Sequence, residues 1–203
     1  MWIYIVRHGE TDGNRNRIVQ TPDTPLSVLG QKQAGQFARA YAHISASHIL
    51  SSDYARAKST ALALHEKIDC SFSVHELLRE RNFGELRGQA YDDIADDFFA
   101  ENYHPKGGES HAQFVARIKH AWRYITEFAN EQKGDLVVVT HGLVLRSLLF
   151  DILKIPKDSL VQADIKNTCV TKVNKLDYSN IALLCDSTHL DTEDIASNSQ
   201  GAV

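Results

Sequence analysis

Two histidines of this 203-residue chain stand in the same local pattern. His8 follows the apolar run Ile3–Val6, His141 follows the apolar run Leu136–Val139, and a glycine comes directly after each histidine. Glycine permits a tight turn and a close approach of the backbone to a ligand. The other eight histidines show no such pattern. The matched pairs therefore predict two imidazoles at one ligand site.

Two arginines indicate what that ligand is. Arg7 precedes His8, and Arg56 falls in the first turn of a predicted helix, where a cation opposes the helix dipole. A guanidinium group matches phosphate oxygens in bidentate geometry. For Arg56 alone, the alternative is a surface ion pair with Asp53. Together with the histidines, the arginines predict a pocket for a dianion, most simply a phosphoryl group.

Histidine can also be the nucleophile in such a pocket. A neutral imidazole attacks phosphorus and forms a phosphohistidine, while nearby cations offset the charge on the equatorial oxygens. The leaving alkoxide needs a proton from a carboxylic acid. Glu80 is the candidate acid, and the alternative for Glu80 is an ordinary ion pair with Arg79 or Arg81.

These motifs, in this order, resemble the histidine phosphatase superfamily in its phosphoglycerate-mutase-like branch, over about Ile3 to Leu190. The first motif is highly specific, and several others follow it in the expected order. The matching segments are Arg7-His8-Gly9-Glu10-Thr11 with Asn14, Gln20, Pro25-Leu26-Ser27 with Gly30, Ser51-Ser52-Asp53 through Arg56 with Ala57 and Thr60, Glu80 with Gly84, Gly107-Gly108-Glu109-Ser110, and Val139-Thr140-His141-Gly142. The sequence departs from the family pattern at Thr21, where a glycine is usual.

The resemblance implies a phosphatase that hydrolyses small-molecule phosphate monoesters through a phosphohistidine on His8. It implies that Glu80 is the general acid and then the base that activates water. It also implies that neither a metal nor a cofactor is needed. The phosphate contacts that it implies come from Arg7, Arg56, His141, Asn14, Gln20 and the backbone N–H of Leu143. Substrate specificity would reside in about Arg81 to Lys106.

Three other functions remain open on the sequence. A cofactor-dependent phosphoglycerate mutase uses the same core but carries a longer insertion than the 84–107 segment here, although Arg79, Arg81, Arg87 and Lys106 could meet a second acidic group. A metallohydrolase would use His8, Glu10 and His141, but the arginines would repel the cation. A binding module for phosphorylated partners would have no reason to keep both a nucleophile and an acid.

Strand and helix patterns alternate along the chain and predict an α/β fold. We expect a three-layer sandwich with a mostly parallel sheet, helices on both faces and ligands beyond the carboxyl ends of the strands, as the phosphoglycerate-mutase-like resemblance also implies. One domain over 1–190 and a polar tail over 191–203 are predicted. A loop with a short acidic helix is expected over 78–105. The predicted strands are Ile3–Val6, His48–Ser51, Phe72–His75, Leu136–Val139 and an edge pair at Val170–Val173 and Ile181–Leu184, and the predicted helices follow Ser27, Asp53 and Ser110 and span Leu143–Leu153.

The composition limits the partners. A net charge of -4 and a pI near 6.2 argue against a general nucleic-acid binder, which needs a basic face. Three widely spaced cysteines favour a reduced, cytoplasmic setting, and no apolar run predicts a membrane span. Dimers occur in the family, so a homodimer is allowed, although no segment predicts one.

Overall fold

A computed structural model describes residues 1–156 and 165–191. Its centre is a six-stranded sheet in the order β3-β2-β4-β1-β5-β6, with helices on both faces. The predicted three-layer α/β sandwich is confirmed. The strands are β1 (Trp2–Arg7), β2 (Ala46–Ser51), β3 (Ser71–Val74), β4 (Asp135–Thr140), β5 (Val170–Asn174) and β6 (Ile181–Asp186), and the α-helices are α1 (Asp12–Arg15), α2 (Val28–Tyr41), α3 (Ala55–His65), α4 (His111–Glu131) and α5 (Gly142–Ser147).

The sheet is parallel at its centre and antiparallel at one edge. β4 pairs in parallel with both β1 and β2, and β2 pairs in parallel with β3. β5 runs antiparallel to β1 and to β6, which confirms the predicted edge pair. The carboxyl ends of the four parallel strands therefore meet at one edge of the molecule, which is where ligands bind in such sheets.

Alternate side chains of the central strands enter two separate apolar cores. In β1, Ile3 and Ile5 pack beneath α4 and α5, whereas Tyr4 and Val6 pack beneath α2 and α3. Burial of both faces explains why β1 and β4 are continuous apolar runs without polar alternation. The sheet is thereby fixed from both sides, and the strand ends that carry the histidines are fixed with it.

The longer helices begin where their capping residues predict. The Ser27 hydroxyl accepts the N–H of Gly30 at the start of α2. Ser110 and Gln113 form the predicted capping box of α4, whose apolar stripe is buried against the sheet. The predicted helix over Leu143–Leu153 is present in two parts, because α5 passes into a π-helical turn at Leu148–Ile152.

The 78–105 region is the predicted loop, and the expected short acidic helix is reduced to one 3-10 turn at Tyr91–Asp93, which contains Asp92 and Asp93. Two further 3-10 turns lie at Glu76–Leu78 and Gly84–Leu86. The glycines of this region at 84 and 88 have positive φ, and its buried aromatic side chains pack against one another instead of forming a helical stripe. A second difference is α1, a single helical turn capped by Thr11, which was not among the predicted helices.

The ends of the predicted domain stay a prediction. Of the polar tail predicted over 191–203, only Asp191 lies within the described residues, where its carboxylate accepts the Gln36 side-chain amide. No helix in the described ranges is both long enough and apolar enough to cross a membrane.

Candidate active site

The two strand-end histidines lie side by side. Arg7 pairs with Thr140 in the parallel register of β1 and β4, and the His8 N–H donates to the Thr140 carbonyl (2.9 Å). The next residue on each strand is a histidine, so the two rings face each other with centroids 5.2 Å apart and planes inclined at 63°. Both histidines are buried.

The turn after His8 is built for close packing. Gly30, in the first turn of α2, lies so near this turn that a Cβ atom would stand 1.9 Å from the Glu10 carbonyl oxygen. The Gly9 N–H donates to the Thr60 hydroxyl of α3 (3.0 Å). Helices α2 and α3 therefore hold the His8 loop from one face of the sheet.

The neighbours of His8 define its protonation. Nδ1 lies 2.7 Å from the Gly9 carbonyl oxygen, which can only accept, so Nδ1 carries the hydrogen. Arg56 Nε donates to Nε2 (3.2 Å), so Nε2 presents a lone pair. Burial, then Arg56 and Arg7, lower the pKa of His8 well below 6.5. The ring is therefore neutral at neutral pH and has the form of a nucleophile.

Both predicted arginines are in the site. Arg56 is 2% exposed, and it also donates through Nη1 to the Thr21 carbonyl (2.9 Å). Burial lowers the pKa of Arg56 to about 10. Arg7 is equally buried and donates to the Ile165 carbonyl. The alternative interpretation of Arg56, a surface ion pair with Asp53, is wrong, because Asp53 pairs with Arg79 (2.6 Å).

Glu80 is held by backbone groups. Its two carboxylate oxygens accept the N–H of Arg81 (2.9 Å) and the N–H of Leu143 (3.1 Å), and no ion pair forms with Arg79 or Arg81 in the described chain. Burial raises the pKa of Glu80 above its usual value, although these hydrogen bonds and Arg56 oppose the change. The N–H of Leu143, predicted as a phosphate donor, is thus engaged by Glu80 in this structure.

Asn14 and Gln20 also line the pocket. The Asn14 side-chain oxygen accepts the Thr11 N–H (3.2 Å), and the Gln20 oxygen lies 2.9 Å from the Thr11 hydroxyl. The engaged atom in each side chain is the carbonyl oxygen, so the amide NH₂ groups are the atoms available as donors to an anion.

His141 is oriented by Ser52, a motif residue to which the sequence assigned no role. Its Nε2 lies 2.8 Å from the Ser52 hydroxyl, and its Nδ1 has no hydrogen-bond partner in the described parts of the chain. Burial, then Arg56 and His8, lower the pKa of His141 well below 6.5. Tyr54 contacts the edge of the same ring, with centroids 5.3 Å apart. In the sequence, Ser52 and Tyr54 lie between the second strand and Arg56. This position beside a predicted phosphate-binding arginine is the signal that could have identified them.

The pocket around His8 therefore contains the predicted cations, acid and amides. It is lined by Arg7, His8, Asn14, Val19, Gln20, Tyr54, Arg56, Glu80, Arg81, Phe83, Arg87, Tyr91, Phe99, Gly142 and Leu143. The 81–106 segment supplies the aromatic wall. Glu10, the third ligand of a hypothetical metal site, instead accepts the Ser27 hydroxyl (2.9 Å). Within 1–156 and 165–191, no group of three histidine, cysteine or acidic side chains could hold a metal ion.

The family model for the histidine phosphatase superfamily (branch 1) matches residues 3–185, and the chain belongs to this family. The solved structure of Bacillus stearothermophilus YhfR superposes with a TM-score of 0.80 at 26% identity, covering 94% of this chain and 99% of that one. A mycobacterial glucosyl-3-phosphoglycerate phosphatase complexed with VO3 superposes with a TM-score of 0.71 at 28% identity, covering 85% and 90%. A probable phosphoglycerate mutase, GpmB, of Escherichia fergusonii is 29% identical over 184 residues, covering 85% and 84%.

Proposed function

We propose that this protein is a metal-independent phosphatase that hydrolyses phosphate monoesters through a phosphohistidine on His8. The observation that carries the proposal is the state of the His8 ring. Its Nδ1 hydrogen is held by the Gly9 carbonyl, so the Nε2 lone pair faces Arg56 in a pocket that also contains Glu80. Nucleophile, phosphate-binding cations and acid are thus assembled in one place.

In the first step, His8 Nε2 attacks the phosphorus atom of the ester. The Nε2–P bond forms as the P–O bond to the alcohol breaks, and the leaving oxygen takes the proton of the Glu80 carboxylic acid. Arg7 and Arg56 offset the negative charge on the transferred phosphoryl group. The raised pKa of Glu80 favours the protonated form, which is the form that a general acid needs.

In the second step, water attacks the phosphohistidine. The Glu80 carboxylate accepts a proton from the water, the P–Nε2 bond breaks, and inorganic phosphate leaves with His8 restored. The buried Nδ1 of His141, which has no partner in the described chain, would gain one from a phosphoryl oxygen.

The relatives support the phosphatase but leave the mutase as a second candidate. One structural relative at 28% identity is named as a phosphatase of a sugar phosphoglycerate. Curated relatives at 28–29% identity are named as probable phosphoglycerate mutases. In both activities the phosphohistidine is the same, and the difference lies in whether water or a second alcohol receives the phosphoryl group.

The test is phosphate release from a panel of phosphate monoesters, including p-nitrophenyl phosphate, in the presence of EDTA. We expect release by the wild type and none by His8→Ala. His43→Ala is the matched control. His43 is exposed and does not line the His8 pocket, so this variant should keep full activity. Quenched wild-type enzyme should carry an acid-labile phosphoryl group that His8→Ala lacks.

Four results would overturn the proposal. Release that disappears with EDTA would indicate a metallohydrolase, and equal activity of His8→Ala would remove the phosphohistidine. Phosphorylation of His8 without release to water, together with interconversion of 3-phosphoglycerate and 2-phosphoglycerate primed by 2,3-bisphosphoglycerate, would establish the mutase instead. Binding of esters with no phosphorylation of His8 would indicate a binding module.

A further inference from the structure

Arg87 lines the His8 pocket, and neither step of the proposed reaction uses it. We infer that Arg87 binds a second anionic group of the substrate, so that the preferred ester carries a carboxylate or a second phosphate on its alcohol portion. This inference rests on the proposed function, because it names the class of substrate that the same site accepts. The assignment of Arg87 depends on the partners that the other cations near the site already have.

Two of these cations are neutralised by carboxylates. The Arg79 guanidinium makes a two-point contact with Asp53, at 2.9 Å and 2.6 Å, and a further contact with Glu76 at 3.3 Å. Lys106 is mostly exposed and pairs with Glu85 at 2.9 Å. Neither group has its full charge available for a ligand.

Arg81 is occupied in a different way. It is 4% exposed, and its guanidinium donates to the carbonyl oxygens of Glu109 (3.3 Å) and Tyr103 (3.1 Å). The group also lies over the Phe83 ring, 5.1 Å from the centroid. Arg81 therefore ties the two ends of the 81–106 segment together through two of its donors, and it is buried in that position.

Arg87 has only a neutral partner for its charge. Its Nη2 donates to the Tyr54 hydroxyl (2.8 Å), and the group is partly exposed. In the parts of the chain that the structure describes, no carboxylate oxygen lies within 4.0 Å of this guanidinium. A guanidinium group has five N–H donors in a planar fork that matches carboxylate and phosphate oxygens. Most of these donors are therefore available to an anion.

The position of Arg87 suits the alcohol portion of the substrate. Arg87, Tyr54 and Glu80 line both the His8 pocket and an adjoining cleft of about 560 Å³. An ester with its phosphoryl group at His8 passes Glu80, which protonates the leaving oxygen, and its alcohol portion then extends past Arg87. Five carboxylates line the cleft, and three of them, those of Asp53, Glu76 and Glu109, are paired with Arg79 or Arg117. Of the three arginines that line the cleft, Arg87 is the one with no carboxylate oxygen within 4.0 Å in the described residues.

Tyr54 couples this subsite to the phosphoryl site. Its ring contacts the Arg56 guanidinium, 5.3 Å from the centroid, and the edge of His141. Its hydroxyl accepts from Arg87 and so fixes the direction of the second guanidinium. The distance between the two anions is thereby set by one rigid side chain, which favours esters with a short spacing between them.

The experiment compares kcat/KM within two pairs of esters. 3-Phosphoglycerate and glycerol 3-phosphate differ by one carboxylate, and fructose 1,6-bisphosphate and fructose 6-phosphate differ by one phosphate. The enzymes are the wild type, Arg87→Gln and the control Lys106→Gln, which has the same loss of charge in the same segment. All are assayed at one low salt concentration.

We expect the wild type to prefer the ester with the extra anion in at least one pair by roughly 10- to 100-fold, the range of a charged hydrogen bond. Arg87→Gln should bring that ratio near unity, because only the ester with the second anionic group loses a charged contact. Lys106→Gln should keep the ratio. The pair that shows the preference identifies the anion as carboxylate or phosphate.

The inference is overturned if the wild type shows no preference in either pair, or if the preference survives Arg87→Gln. If the wild type hydrolyses none of the four esters or p-nitrophenyl phosphate, the proposed function fails. Calorimetric titration with the same esters then tests the subsite by itself. A tighter Kd for the extra anion, lost in Arg87→Gln, supports the subsite, and equal Kd values in both enzymes overturn it.

Discussion

At the scale of single residues, the charge state of the site is set by burial more than by pairing. The two histidines are neutral because burial and the neighbouring arginines lower both pKa values. Burial raises the pKa of Glu80, whereas it lowers those of the histidines, because burial favours the uncharged form of each group. The nucleophile and the acid are thus prepared together for phosphoryl transfer.

These shifts predict the dependence of kcat/KM on pH. Protonation of His8 removes the lone pair, so the acidic limb lies well below 6.5, where the lowered pKa falls. Ionisation of Glu80 removes the proton donor, so activity falls as the pH rises through its raised pKa. Glu80→Gln should reduce turnover of alkyl esters by about 10²- to 10⁴-fold and abolish the alkaline limb. A wild-type alkaline limb that persists in Glu80→Gln would assign the acid elsewhere.

Ser52 is the residue-scale contact that orients the second histidine. Ser52→Ala removes the hydroxyl 2.8 Å from His141 Nε2, so the tautomer of the ring is no longer fixed. We expect kcat to fall about tenfold, the cost of one lost buried hydrogen bond, while the nucleophile still becomes phosphorylated.

Ser51→Ala is the matched control for Ser52→Ala. Ser51 is equally buried, but its hydroxyl donates to the Ser52 carbonyl and not to a catalytic ring (2.8 Å). The kcat of Ser51→Ala should be unchanged. Stopped-flow assays of both variants measure the expected loss of kcat in Ser52→Ala. Equal kcat in the two variants, with equal losses of stability, would reduce Ser52 to a packing role.

At the scale of elements, the sheet and the 81–106 segment differ in how far the sequence predicts them. Parallel strands place their carboxyl ends together, so two strand-end histidines in β1 and β4 were enough to predict that their rings meet. The buried stripe of α4 repeats with helical spacing and predicted that helix. The strand and helix cores are periodic, and periodicity is readable in sequence.

The 81–106 segment has no such period. Its path depends on contacts among Phe83, Tyr91, Phe98 and Phe99, which form a cluster of their own in which most ring pairs pack edge-to-face. The contacts of Arg87 with Tyr54 and of Glu80 with Leu143 follow from that path. They join residues far apart in the chain with no local signal, so the sequence identified Glu80 but not the groups that hold it.

Gly84 is the element-scale residue on which this path depends most directly. Its φ is +54°, and a Cβ atom there would lie 2.0 Å from the Lys106 carbonyl oxygen. Gly84→Ala should lower the free energy of unfolding by about 2–5 kcal/mol, from left-handed strain and from forcing two backbones apart. Denaturant titration measures the loss.

Gly107→Ala separates these two contributions. Gly107 also has a positive φ, of +70°, but its Cβ position meets no atom within 4 Å in the described structure. We expect it to lose only about 1–2 kcal/mol. If both variants lose the same amount, close contact at Gly84 does not constrain the segment, and the aromatic cluster alone fixes its path.

At the scale of the whole molecule, the two cores hold a site whose cations are buried before any anion arrives. Arg7 and Arg56 are each 2% exposed, and burial lowers the pKa of Arg56 to about 10. Burying a cation is unfavourable, so part of the folding free energy is spent on keeping the pocket formed. Binding of an anion should recover that free energy.

This predicts that phosphate or vanadate stabilises the whole domain. At a ligand concentration of about 100 times Kd, the gain is about 2.7 kcal/mol, which for a chain of this size raises Tm by roughly 5–10 °C. Differential scanning calorimetry of the wild type measures the shift, and chloride at matched ionic strength is the control for screening. Arg56→Gln should lose most of the shift, because Arg56 contacts His8 and is proposed to bind the anion. Lys58→Gln removes an exposed cation two residues further along α3 and should keep the shift. An equal shift in both variants would mean that the anion binds outside the His8 pocket.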